Sequence, residues 1–391
     1  MNFARPLPLA ILWISSLGLT AVGTRALLGP FSFRESADFS STLEGARSGS
    51  GTGHAQPASK DVTAATTEAL REPDPLARVA GIAEMLPHLS GKNALEVLDT
   101  YRGIKKEKGT GLDTEGELIM LQVGRTAGLA ALERERPLDP ASPKVPGQFD
   151  LVMRGFAGTH PEGALGYWRA LPDGPFKNSL KSGLLIGLAE NNTALARDFF
   201  ASLPHAEQVG QIPNLSHQIM RQEGATALQA WFDAVPEDPA DPTVKWTTFH
   251  AVAEELQQSP AANADFMTKE ASRPHAANDI YNNYAVAWTD SQPAAALDWA
   301  TKLPVPEGTT LRSDTLNTVI SRWTADDSGG VGDWLNNNSK SPYYDEVAAS
   351  YAQHVSVIDP AAATRWTNTI RDSGLRATIT DRLGGIALVA Q

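Results

Sequence analysis

"SQPAAALDWATKLP", residues 291–304, and "VIDPAAATRWTNTI", residues 357–370, are two versions of one phrase. Each opens at a proline, continues through small residues to one tryptophan, and closes on a branched apolar residue. The choice between a catalytic signature and a structural unit decides the fold. Aligning the phrase along the chain favours the unit. Seven instances place a large aromatic at Tyr167, Phe199, Trp231, Phe266, Trp299, Trp334 and Trp366, with spacings of 32, 32, 35, 33, 35 and 32. One ring per unit at a nearly constant period is the mark of a repeat array.

A second position keeps the same register. Eleven residues before each ring stand Phe156, Leu188, Met220, Glu255, Trp288, Trp323 and Val355, all apolar but Glu255, which Leu256 follows. These residues end apolar stripes at helical spacing, such as Leu316, Val319, Ile320 and Trp323. Each unit therefore reads as two helices. Asp359 before Pro360 and Ser259 before Pro260 are read as N-caps. A side-chain oxygen there accepts from free backbone N–H groups, and proline at the first helical position gives up no bond. Pro172, Pro204, Pro236 and Pro304 cannot continue a helix and end the first helix of their units. Small residues such as Ala294–Ala296 let neighbouring helices approach. The rings are expected in the core between units rather than as a stacking platform for a ligand.

Before the array, "DPLARVAGIAEMLPHLSGKNALEVLDTYRGI" supplies two helices, the first from Asp74-Pro75 and the second after Ser90-Gly91. "DTEGELIMLQVGRTAGLAALERER" supplies a third, starting near Asp113 or Thr114. Residues 71–134 thus form a helical cap region, residues 135–147 a Pro-rich break, and residues 148–391 the repeats.

The pattern resembles the tetratricopeptide-like helical-hairpin repeat proteins. Within that class it resembles a group of exported bacterial proteins of unknown function that carry DPxAAxxWxxxLP units. The resemblance covers residues 148–391 and, more weakly, 72–134. The W-x2-L-G-x2-Y consensus of the tetratricopeptide unit is absent, so no ligand-clamp residues are carried over. The expected fold is all-α: a right-handed α-solenoid of about seven helical hairpins preceded by a small helical cap.

The N-terminus reads as a targeting segment. Arg5 precedes an apolar run from about Leu7 to Val22, and Ala21-Val22-Gly23 offers small residues at a cleavage-site spacing. Ser15, Ser16, Gly18 and Thr20 interrupt the run. Crossing a bilayer takes roughly 17–20 apolar residues, so a cleaved signal peptide within residues 1–30 is preferred to an uncleaved anchor. Residues 31–70, rich in Ser, Thr, Gly and Ala, read as a disordered linker. The location expected is exported, in the periplasm or cell envelope. Asn191, Asn214 and Asn337 begin Asn-x-Ser/Thr triplets, which would accept glycans in a eukaryotic secretory path.

Composition narrows the chemistry. The chain of 391 residues has 42% hydrophobic and 20% charged residues, a globular balance. It has no cysteine, which excludes disulfides and thiolate metal sites. A net charge of -12 argues against a nucleic-acid partner, and "RGIKKEKG" at 102–109 reads as a solvated helix end. The eight histidines form no H-E-x-x-H pattern and no i, i+4 pair. His160 and His205, beside prolines, read as turn residues, and "NNN" at 336–338 as a loop. No G-x-S-x-G elbow or P-loop occurs, and "SGSGTG" at 48–53 lies in the linker. The carboxylate pairs at 254–255 and 326–327 point about 100° apart on a helix and read as solvated faces. No catalytic residue, cofactor or metal ligand is assigned.

Three functions remain: an exported scaffold that binds protein or peptide, an enzyme with a site assembled from distant repeats, and a structural spacer held to a membrane by the N-terminal segment. The scaffold is preferred. Asp265, Asp298 and Asp333, each one position before its ring, are the candidate partner-binding residues, as an acidic strip for a basic or polar extended segment. A reporter fused to residues 1–70 is expected outside the cytoplasm. A soluble cytoplasmic reporter would refute export, and the intact mass of the mature protein separates cleavage near Gly23 from retention.

Overall fold

The computed structural model describes residues 59–389 apart from Thr110 and residues 144–146. The targeting segment and most of the linker lie outside the described residues. Everything described falls in one compact unit, residues 57–391, and it is helical with no strand among the described residues.

The first helices are α1 (Ser59–Arg71), α2 (Pro75–Met85), α3 (Ala94–Lys108) and α4 (Asp113–Glu135). α1 revises the linker reading. Val62, Thr66 and Leu70 are buried, and α1 packs on α2 and α3. Two apolar residues in a Thr/Ala-rich window carry no visible period, and the neighbouring helices complete the stripe. Asp74 caps α2, its carboxylate accepting the Leu76 N–H at 3.2 Å. The turn before α3 is closed by Asn93, which accepts the Ser90 N–H at 2.7 Å and donates to the His88 carbonyl at 3.1 Å. A buried ion pair, Arg78 to Glu115, ties α2 to α4, and Arg78 also donates to the Glu72 and Gly111 carbonyls at 3.0 Å.

Beyond the Pro-rich break, long and short helices alternate. The long ones are α5 (Phe149–Thr159), α8 (Lys181–Asn191), α11 (Ile212–Glu223), α13 (Thr243–Leu256), α15 (Asn278–Thr289), α17 (Leu311–Asp326), α19 (Tyr344–Val355) and α21 (Ser373–Val389). Between them come α6 (Pro161–Ala170), α9 (Thr193–Ala201), α12 (Ala225–Ala234), α14 (Pro260–Glu270), α16 (Pro293–Thr301), α18 (Gly330–Asn337) and α20 (Pro360–Thr369). Two single-turn helices, α7 (Pro175–Ser179) and α10 (His205–Val209), fill connections that read as loops, so His205 opens a helix. Each long helix packs on the next, starting with α4 on α5. Each short helix sits against the long helices before and after it. The break at 135–147 is therefore no packing boundary, because α4 joins the same row.

Local signals act much as the sequence implies. Asp359 accepts the Ala362 N–H at 2.8 Å, and Pro161, Pro260, Pro293 and Pro360 stand in the first turn of their helices. Ser259 makes no capping bond, and its backbone alone starts α14. Asn336 and Asn337 continue α18, so the "NNN" loop begins only at Asn338. The branched residues that close the phrases, Leu171, Leu203, Val235, Leu303 and Ile370, are all buried.

Two devices draw successive units together. α4, α5 and α8 meet backbone to backbone through glycine. A methyl group on Gly124, Gly155, Gly183 or Gly187 would overlap the carbonyl oxygen of Val152, Leu121, Asp150 or Arg154, respectively. The second device is aromatic. Trp168 meets Phe199 edge-on at 5.1 Å, Phe200 meets Trp231 at 5.8 Å, and Phe232 meets Phe266 at 5.5 Å. Such pairs contribute about 0.5–1.5 kcal/mol each beyond area burial. After α14 the doublet is lost and Trp299 packs instead on Tyr284 and Trp288 of α15, at 5.4 and 5.5 Å.

Five of the seven period-marking rings are buried, while Tyr167 and Trp366, near the two ends, are half-buried. Trp299 is 5% exposed, and its indole donates to Thr268 Oγ1 at 3.0 Å. Trp299→Ala is expected to cost ~3–5 kcal/mol in chemical denaturation, the range for deleting a large buried ring. An unchanged melting temperature would contradict the packing described.

Candidate functional site

Asp265, Asp298 and Asp333 stand at the same register on α14, α16 and α18, and all three are exposed. Asp198 of α9 occupies the equivalent position and belongs with them; its place one residue before Phe199 was the signal for it. The three are not equivalent. Asp298 accepts the Trp334 indole N–H at 2.8 Å, so it ties one short helix to the next. The Asp265 and Asp333 carboxylates make no hydrogen bond or ion pair among the described residues.

Two clefts lie on the other layer, whereas a further one, of about 560 Å³, opens between α20 and α21. Between α13 and α15 the solvent face of the long helices opens into a cleft of about 560 Å³. Ala253, Ile280, Val286 and Ala287 form its walls, and His250, Glu254, Gln257, Asn283 and Asp290 its polar rim. A smaller cleft, about 160 Å³, follows between α17, α19 and α21, with Asn317, Ser350 and Arg382 among its lining. From α11 to α19 a polar residue recurs in register, His217, His250, Asn283, Asn317 and Ser350, at steps of 33, 33, 34 and 33, all exposed but the buried Ser350. The column was present in the sequence but carried no apolar contrast, and a polar residue on a helix surface is the ordinary case.

The electrostatics of the face are uneven. Asp290 accepts from Arg322 Nε at 2.6 Å, and Glu255 pairs with His217 Nδ1 at 3.1 Å. Glu254, His250 and Asn283 make no side-chain bond among the described residues. The adjacent Glu254 and Glu255 diverge, as their spacing implies.

A third constellation is closed to solvent. Lys245, Glu270 and His275 are 8, 3 and 4% exposed, among Phe232, Phe249 and Tyr281. Lys245 donates to the carbonyls of Phe232 and Val235 at 2.5 and 3.0 Å and lies 3.8 Å over the Phe232 ring. His275 Nε2 faces Glu270 Oε2 at 3.0 Å, while its Nδ1 is buried without a partner. Burial lowers the pKa of both Lys245 and His275. No sequence motif announced the trio, because its members lie on α13, on α14 and in the following loop.

Among the described residues, no group of three His, Cys, Asp or Glu side chains is placed to hold a metal ion. No described helix is long and apolar enough to cross a membrane. Compared with known proteins, the chain matches no family model, no curated protein and no solved structure.

The trio generates a pH prediction. Burial holds His275 below the ordinary imidazole value of 6.5, so the unfolded chain takes up the proton at a higher pH than the folded chain. Stability is then full above about pH 6.5 and declines as pH falls from there through the folded-state pKa. His354, also lowered by burial, acts in the same direction. The melting temperature is expected to fall between about pH 7.5 and about pH 5.5, and His275→Asn with His354→Asn to flatten that fall. Equal slopes in wild type and double variant would refute it.

Proposed function

We propose that the chain is an exported helical-repeat scaffold that binds protein or peptide. Its architecture is read as a right-handed α-solenoid of about seven helical hairpins preceded by a helical cap. It is of the tetratricopeptide-like kind and akin to the exported bacterial proteins with DPxAAxxWxxxLP units. The observation that carries the proposal is the unbroken row of long helices, α4 to α21, which bears one polar residue per unit in register from α11 to α19 and two clefts. The long helices pack closely on one another, whereas the short ones touch one another lightly, as curvature toward the long row would require. A concave polar face of this kind suits an extended chain laid across successive units.

The net charge of -12 favours basic or polar partners over nucleic acid. The strip of Asp265, Asp298 and Asp333 is a second acidic surface, with Asp298 already engaged by Trp334. Membrane contact, if the N-terminal segment is retained, runs through that segment alone. The enzyme alternative has one observation behind it, the Lys245, Glu270 and His275 trio. Its burial beneath three aromatic rings suits packing better than contact with a substrate.

The full chain exposed to a panel of unstructured peptides of graded charge is expected to retain the basic ones. Retention should weaken as salt rises from about 20 mM to about 300 mM. Failure to retain any peptide at low salt would overturn the scaffold reading.

A further inference from the structure

We propose that the cleft between α13 and α15 receives an arginine side chain from an extended segment of a partner protein, with Glu254 as its counter-ion. This deepens the scaffold reading and rests on it. Glu254 is the one carboxylate of the cleft region without a partner among the described residues. Asp290 is held by Arg322 and Glu255 by His217. An unpaired carboxylate at the mouth of a cleft with apolar walls is matched by a side chain with an apolar stem and a cationic head.

The walls divide the work. Ala253, Ile280 and Val286 offer methyl and methylene surface to the stem. At the rim, Glu254 on α13 and Asn283 on α15 bring acceptor oxygens from both sides. A guanidinium presents five donors in a fixed planar fork and can satisfy two walls together, whereas an ammonium is a point charge. The same row already displays this recognition internally: Arg322 lies between Asp290, at 2.6 Å, and Asp326, at 3.3 Å. The volume, about 560 Å³, leaves room for the ligand's backbone beside the side chain. The overall charge of -12 attracts a cationic segment to the chain and repels an acidic one.

The test uses the full chain and dye-labelled Gly/Ser peptides that differ only at one central residue: arginine, lysine, norleucine or glutamate. Fluorescence anisotropy at low salt is expected to rank arginine first, lysine weaker, and norleucine and glutamate unbound. Glu254→Gln is expected to weaken the arginine peptide about fivefold, as for loss of one exposed charge pair. Because Glu254 is exposed and makes no bond in the fold, circular dichroism should not change. Asn283→Ala, on the opposite wall, gives an independent reading in the same direction. Norleucine binding as well as arginine would overturn the proposal. Equal binding of the arginine peptide by wild type and both variants would place binding elsewhere, leaving the scaffold reading intact. Failure of every peptide to bind would remove both.

Discussion

A helix pair of this chain leaves one apolar flank open, and only the next pair closes it. That constraint organises the rest of the structure. Side-chain bonds recur between residues 31 to 36 positions apart: Arg154 with Glu190, Gln229 with Asn263, Lys269 with Asp233, Trp299 with Thr268, Arg312 with Glu346, Arg322 with Asp290. These are one repeat apart, so each joins neighbouring units rather than the helices within one. The exposed ion pairs among them contribute little singly, about 0–1 kcal/mol. Their regular spacing matters as register: a slip of one residue in any unit would break its pairs on both sides. Stability in such an array is close to a sum of nearest-neighbour terms. The apolar contacts carry most of that sum, through glycine where backbones touch and through edge-on rings where they do not.

The repeat was legible because its elements are written in residues with strong local consequences. Proline starts and stops, a buried ring and an apolar closing residue recur at fixed offsets, and each acts within a few residues of itself. What escaped was written in residues that look ordinary. Gly124, Gly155, Gly183 and Gly187 announce close approach only once the partner helix is known. The second ring of each doublet, Trp168, Phe200 and Phe232, was hidden by its neighbour. α1 escaped because its buried face is shared between Val62, Thr66 and Leu70, a face only two-thirds apolar. The candidate site divides in the same way. The sequence marked the aspartates beside the rings, whereas the clefts depend on the spacing of α13 and α15, which no local pattern encodes.

The buried trio shows how the array absorbs an irregularity. Between Trp231 and Phe266 the period lengthens to 35, and the connection after α12 runs through three prolines. At the end of α12 the Val235 N–H bonds the Trp231 and Phe232 carbonyls, and the Val235 carbonyl lies beyond the helix. Lys245 supplies donors to the carbonyls of Phe232 and Val235, so a cation completes a helix C-terminus from inside the core. Glu270, paired with Lys269 at 3.2 Å and facing His275, sits close enough to favour the buried ammonium. The cost of burying these charges is offset by making them structural.

The direction of the ring hydrogen bonds bears on how such a chain is built. Tyr281 donates to the Met267 carbonyl, Tyr284 to Pro260, Trp299 to Thr268, Trp334 to Asp298 and Tyr351 to Ser328. Every acceptor lies earlier in the chain than its donor; Trp168, which donates to Lys177, is the exception at the N-terminal side. A chain delivered N-terminus first, by a ribosome or through a translocation pore, therefore presents each acceptor before the ring that needs it. For these ring bonds, each new unit finds its acceptor already in place. As far as these bonds decide, the array can grow like masonry, course on course.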